Sequence, residues 1–251
     1  MIKLSYIDKV SIKVILLAII SLIAIPYYFI AGGTLLGFII VRLVSYPFAI
    51  FGGIAYHRWL CHNSFVPSTF GRYLMWTGLI VSGYGNPLHN VIAHRLHHAH
   101  SDTDLDPHSP NHHSWVNLWL GRYQIKSGIR YPKDFYRNKE AVFVSNHYWK
   151  LYIAFNIVLA LIDFKTALIF GPVSFTMAWI LNTIVNYNGH VLNGVVEPRN
   201  LGPVITMLTG GEGLHKNHHN DQTSHSFASP GRFDLGAIVI EKILMAKAPF
   251  K

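Results

Sequence analysis

The sequence predicts an all-α membrane protein, with four transmembrane helices in two hairpins and a cytosolic helical cap that holds a metal site. Three observations predict it. Of 251 residues, 51% are hydrophobic and only 13% charged, against roughly 25% charged in soluble domains, and mean hydropathy is +0.28. Long apolar runs reach the roughly 20 residues that a spanning helix needs. Sixteen histidines are present, and nine of them fall in spaced groups that lie at the ends of those runs or beyond.

Taken in order, the chain begins with Lys3, Lys9 and Lys13 ahead of an apolar run. A second span follows almost directly and no small-residue cleavage site stands out, so an uncleaved anchor is expected. The first span covers about 14–30, with Pro26 near its end, and the second about 34–56. Arg42 interrupts the second and must find a partner or reach a headgroup. Residues 70–84 are apolar and aromatic but, at roughly 15 residues, too short to cross, which predicts an interfacial or re-entrant helix. The third span, 149–164, holds a short apolar run, Leu151–Ile162, flanked by Trp149, Lys150 and Lys165. The fourth covers 167–187. The cap is then 57–148 and 188–251, within one domain, and its tail from His225 reads as loop plus one amphipathic helix.

Charge sets the orientation. The turn near residues 27–33 has no charged residue, and that between the last two spans has only Asp163 and Lys165. Nearly all Lys and Arg lie in the tails and the long middle section, which the positive-inside rule assigns to the cytoplasm. In that section Arg122, Lys126, Arg130, Lys133, Arg137 and Lys139 alternate with Trp115, Trp119, Tyr123, Tyr131, Phe135 and Tyr136. They form a basic collar against the membrane surface, with a sharper reading as a phosphate grip or a docking face for an acidic electron donor. A net charge of +9 on a chain with spans points to anionic lipid or an acidic protein, not nucleic acid. The single Cys61 excludes an internal disulfide and fits a reducing compartment.

The histidines carry the chemistry. On a helix His97 and His98 fall about 60° to one side and about 40° to the other of His94, so the three rings can address two cations. His215, His218 and His219 repeat that spacing. His57 and His62 are five apart, about 140° on a regular helix; either the helix ends between them or they serve different metals. Asn186 and His190 share one face. Ligation requires neutral imidazole, which Arg58, Arg95 and Lys216 are expected to favour by lowering ring pKa values. Asp102, Asp104 and Asp106 are candidate acceptors for the ring N–H groups, and His108 is a further candidate beside them. Glu212 is either such an acceptor or a turn residue. His89, His100, His112, His113, His147 and His225 are expected at the surface or outside the ligand set. Trp59, Trp76, Trp149 and Trp179 are interface or core residues, one of them a candidate wall of a substrate tunnel. A catalytic zinc commonly uses three protein ligands; nine imidazoles suit two metals, each with a position to spare.

Four motifs, H-R-x-x-x-H from His57 to His62, H-R-x-H-H from His94 to His98, N-x-x-x-H from Asn186 to His190 and G-E-G-L-H-K-N-H-H from Gly211 to His219, resemble the membrane fatty acid desaturases of the stearoyl-CoA and Δ9 acyl-lipid type. Asp102-Thr103-Asp104 and Asp106-Pro107-His108 resemble that family's segment after its second box, and the resemblance runs from about 35 to 235. It implies a mushroom-like fold of four spans under a cytosolic cap with a non-haem di-iron centre. The ligands it implies are His57, His62, His94, His97, His98, His190, His215, His218 and His219, with Asn186 reaching an iron through water. It also implies O2-dependent formation of a cis double bond in an acyl chain on lipid or CoA. Electrons would come from a separate ferredoxin or cytochrome b5, because the chain ends about thirty residues past the last box. Two positions depart from the family: Lys216 replaces a usual Asn, and Ile92-Ala93 replace the Arg-Asp that animal acyl-CoA enzymes carry, which weighs against a CoA carrier. A sibling di-iron fatty acid hydroxylase or alkane monooxygenase is the alternative, although four residues between His57 and His62 favour a Δ9 desaturase. A metal transporter would place its ligands at the bilayer midplane.

Overall fold

A computed structural model describes residues 6–123, 125, 132–229 and 232–246, with side chains from residue 11 onward. Lys3, Lys126, Arg130, Tyr131 and the last five residues of the tail, 247–251, lie outside the described residues, and so does the side chain of Lys9.

The chain opens with α1, Tyr6–Ile30. A turn that needs the left-handed backbone of Gly32 (φ +82°) follows, and Thr34 then caps α2, Leu35–Ile54, accepting from Gly37 N. Helix α2 runs on without a break into a π-helix, Ala55–Cys61. Helix α3, Thr69–Val81, lies against α2 at Gly52 and Gly78, where the backbones touch: a Cβ on Gly78 would stand 2.6 Å from Phe48 O. Helix α4, Pro87–His100, starts with Asn86 accepting from the N–H groups of Leu88 and His89 and with Pro87 at its first position. Two short helices follow, α5 (Trp115–Trp119) and α6 (Lys133–Arg137).

Helix α7, Lys139–Ile162, is 24 residues long and stops at Asp163, whose backbone is extended. The chain turns back there into α8, Phe164–Leu168, a π segment Ile169–Val173, α9, Ser174–Thr183, and a second π segment Ile184–Asn188. A small hairpin departs from the all-helical expectation. Its strands are β1, Val191–Leu192, and β2, Val195–Val196, and Asn193-Gly194, both at positive φ, make the two-residue turn. Helices α10 (Pro203–Leu208), α11 (His215–Asn220) and α12 (Leu235–Val239) complete the cap, α12 continuing as a π segment, Ile240–Leu244.

Among the described residues three helices are long and apolar enough to cross a membrane: Ser11–Ile30, Leu35–Cys61 and Phe164–Asn188. The expected third span, 149–164, lies in the C-terminal part of α7. That helix as a whole is not among the three, because its first half carries Lys139, Glu140, His147 and Lys150. Its second half still exposes Ile153, Ile157, Val158, Leu161 and Ile162. The tips of the two hairpins meet. Lys165 Nζ donates to Ala31 O at 3.4 Å, and the rings of Tyr27 and Phe164 stand 5.9 Å apart. Every histidine box lies at the opposite end of these helices.

Candidate metal centre

The π-helix at the end of α2 resolves the position of His57 and His62. Its hydrogen bonds run from residue i to i+5, and His62 N donates to His57 O at 3.2 Å. Residues five apart therefore sit one turn apart on a single face, and the rings are 4.9 Å apart. The π-helix ends at Cys61, between them, as the first alternative has it, with His62 as its cap, and both rings enter one group.

That group is His57, His62, His94, His98 and His218; a second comprises His97, His190, His215 and His219. Within each, the candidate ligand atoms all lie within 4.8 Å of one another. In the first, Nε2 faces Nε2 between His57 and His218 (3.0 Å), His62 and His94 (2.9 Å), His94 and His98 (3.0 Å), and His98 and His218 (2.8 Å). In the second the corresponding approaches are His190 to His215 (2.8 Å), His215 to His219 (3.2 Å) and His97 to His219 (3.3 Å). Helix α4 sends His94 and His98 to one group and His97 to the other; α11 sends His218 to one and His215 and His219 to the other.

The acidic residues show which nitrogen holds the proton. His57 Nδ1 donates to Glu212, His97 Nδ1 to Asp106 at 2.8 Å and His190 Nδ1 to Asp102 at 2.9 Å. A neutral imidazole has one N–H. With the proton on Nδ1, the Nε2 atoms of these three rings present lone pairs to the other ring nitrogens of their groups. The donor set therefore fits two metal ions that accept imidazole nitrogen. Burial pushes the rings of His62 and His219 down to about 2, and those of His94, His98, His215 and His218 also downward. The neighbouring imidazoles come after burial. Among these leading causes Arg95, acting on His62, is the one cation. Desolvation, rather than the expected Arg58 and Lys216, keeps the rings neutral.

Arg58 has another task. It is fully buried, with Nε donating to Glu212 at 3.0 Å, Nη1 and Nη2 to Asp234 at 2.9 and 3.1 Å, and Nη1 to His225 O at 2.8 Å. Its guanidinium lies 3.8 Å over the Phe227 ring. Burial raises the Glu212 carboxyl, but His57 and Arg58 outweigh that and hold it below its ordinary value. Asp106 is likewise held low against burial, chiefly by His97. The sequence reading missed Asp234 altogether; its one signal is an acidic N-cap before the α12 apolar run, where it accepts from Ala237 N.

Other candidates stand outside the two groups. His108 is buried with its ring 5.8 Å from that of His97 and 4.4 Å from that of Tyr123; burial lowers it to about 3. Asp104 faces the surface, paired with His112 at 3.0 Å. His89, stacked on Tyr123, is pushed by burial down to about 4. Asn186 lies on the second π segment and bonds to no histidine among the described residues.

A cavity of about 410 Å³ reaches both groups. His57, His94, His215 and Glu212 stand at one end, and the walls are α2 (Ile39 to Gly53), α9 and its π extension, and Met207 and Leu208 of α10. Arg42 lines the far part and donates to Ser174 at 2.5 Å, the partner its intramembrane position required. No tryptophan lines this cavity; Trp179 borders a smaller one beside it.

A model of the fatty acid desaturase family matches residues 32–227. The chain is similar to the acyl-CoA 5-desaturase AL21 of Anemone leveillei, 32% identical over 182 residues, which is 66% of this chain and 55% of that protein. It is similar to the sn-1 stearoyl-lipid 9-desaturase of Anabaena variabilis, 28% identical over 68% of this chain and 66% of that protein. The Delta-9 acyl-lipid desaturase 1 of Arabidopsis thaliana is 29% identical over 73% of this chain and 64% of its own length. The matched part thus spans between about half and two thirds of these relatives.

Proposed function

The chain belongs to the fatty acid desaturase family, and from that premise we propose that it is an O2-dependent desaturase introducing a cis double bond into a saturated acyl chain carried on lipid or CoA. The observation that supports this most is the meeting of two inward-facing imidazole groups with the end of an apolar cavity. Two irons are the proposed occupants. His57, His62, His94, His98 and His218 hold one, and His97, His190, His215 and His219 the other, with Asn186 acting on it through water. When bound, the irons supply the reductive activation of O2 that removes two hydrogens from adjacent methylenes.

The rest falls to the protein. Glu212, Asp106 and Asp102 fix the tautomers of His57, His97 and His190 and so aim their Nε2 atoms. The cavity between α2 and α9 holds the acyl tail and keeps water from it. Lipid tails are as apolar as the cavity wall, so a chain entering from the bilayer gains little hydrophobic energy. Selection then rests on cavity shape, and on Arg42 at its far part.

The finer reading follows from position. The second half of α7 is the third of four spans, paired with Phe164–Asn188 through the turn at Asp163, and the cap faces the cytoplasm, where the Lys and Arg residues concentrate. The Δ9 position is favoured by the four residues between His57 and His62, and relatives named for both the 9 and the 5 position leave it to be measured. Electrons come from a separate ferredoxin or cytochrome b5 docking on the basic cap. A di-iron hydroxylase would use the same ligands. Expression in a desaturase-deficient host, with products located by mass spectrometry, separates the two: alkene supports the proposal, and alcohol in its place overturns it.

A further inference from the structure

A second, smaller cavity of about 30 Å³ lies behind the acyl cavity. Tyr56, Tyr84, Ala178, Asn182 and Asn186 line both, so these side chains are the partition between them. Beyond the partition the walls are mixed, polar groups standing beside Leu118 and Trp179, where the acyl cavity is mostly apolar. His108, Tyr123, Asn90 and Thr183 line the small cavity only, and His108 stands next to His97 of the second imidazole group.

Two sets of polar atoms here lack partners. His108 Nδ1 is buried with no hydrogen bond. Asn182 and Asn186, four residues apart and both in the partition, have no hydrogen-bond partner for their carboxamides among the described residues. A buried polar group left unsatisfied, as His108 Nδ1 is, costs about 1–3 kcal/mol, and the two half-buried carboxamides are open to a ligand in the cavity. A water needs roughly 10–15 Å³ of such space and two to four polar partners. The cavity has room for about two by that measure, and the imidazole and the two carboxamides supply the partners.

We infer that this cavity is a water site, holding ordered water between His108, Asn182 and Asn186, and that it is the hydrophilic passage of the metal centre, separate from the acyl cavity. The inference rests on the proposed desaturation. That reaction takes one O2, two electrons and two protons from outside, and two hydrogens from the chain, and it releases two waters. The electrons come from a one-electron donor protein. Protons and water cannot share an apolar cavity filled by an acyl tail. The small cavity gives them a route on the other side of the partition, while the tail stays dry.

Two measurements on the purified, metal-loaded enzyme test this. The first is an experimental structure at a resolution that shows other buried waters. Ordered water within hydrogen-bond distance of His108 and of either carboxamide is expected; a dry cavity overturns the inference. The second is the ratio of alkene formed to electrons consumed. Thr183 faces the small cavity alone, so Thr183→Leu fills it without touching the acyl wall. With metal content unchanged, this variant should lose coupling severalfold and release hydrogen peroxide, whereas Thr183→Ser should stay coupled. Coupling as tight in Thr183→Leu as in the parent overturns the passage. If the parent makes alcohol, the desaturase reading has failed instead, and the same ratio is read on alcohol. If Thr183→Leu does not fold, the structure decides.

Discussion

Replacing Arg58 by Met should destabilise the protein more than any other single change in the cap. The guanidinium is fully buried and holds two carboxylates, Glu212 and Asp234, that are themselves largely out of solvent. Removing one partner of a buried ion pair leaves the other charge uncompensated, at about 3–5 kcal/mol. Here two charges lose their partner, and Gly210 O and His225 O lose a donor, which puts the cost at the upper end of that range. A chain of this size loses about 2–4 °C of Tm per kcal/mol, so thermal unfolding of the metal-loaded protein in detergent should fall by roughly 10–20 °C. Lysine should not rescue, since it cannot reproduce the two-pronged bond to Asp234. The triple change Arg58→Met, Asp234→Leu, Glu212→Gln removes the orphaned charges and should recover much of the loss. A drop within about 1 kcal/mol in the single variant would refute the reasoning, since it would mean that water reaches the carboxylates.

Other outcomes follow from the same geometry. His98→Ala removes a ligand from the five-histidine group and should abolish the unsaturated product while the protein remains in the membrane fraction, as measured by lipid analysis and fractionation. Asp106→Asn leaves the His97 ring without its carboxylate and should weaken metal retention about 10–100-fold in chelator competition, whereas Asp104→Asn, at the surface with His112, should leave it unchanged. Gly78→Ala forces a Cβ against Phe48 O, a backbone atom that cannot rotate away; overpacking of this kind costs about 1–3 kcal/mol, read as a lowered Tm.

The parts of this site that were legible in the sequence are those that a regular helix dictates. The 100° step along α4 divides His94 and His98 from His97, and the divided rings enter different groups. The long apolar runs give the first two helices and the last, each a few residues longer in the structure than hydropathy alone suggests. What escaped was set by contacts distant in sequence. Asp234 lies 176 residues from Arg58, and no local pattern links them. Asn182 has no motif; its place in the partition follows from the packing of α9 against the walls formed by Tyr56 and Tyr84. The cations beside the boxes misled for the same reason: Arg58 is adjacent to His57 in sequence, but its charge is spent on carboxylates from the far end of the chain.

The π-helix joins these two kinds of information. A regular helix would carry His57 and His62 to faces about 140° apart, leaving one ring unable to join its group. Widening the turn over Ala55–Cys61 realigns them, and the same widening divides the labour of adjacent residues. His57 points to the imidazoles, while Arg58 points to Glu212 and Asp234. Glu212 closes the loop by accepting from both, so the segment that aims the first ligand is also the one that anchors the C-terminal part of the cap. The second π segment, Ile184–Asn188, carries Asn186 and leads straight to His190, again where a spanning helix reaches the metal centre. Two of the four π segments among the described residues thus fall where a ligand must be aimed from a helix whose remaining length is committed to lipid, while Ile169–Val173 and Ile240–Leu244 carry no histidine. Shortening Ala55–Cys61 or Ile184–Asn188 by one residue would turn everything beyond it by about 100° and take its histidine out of the group.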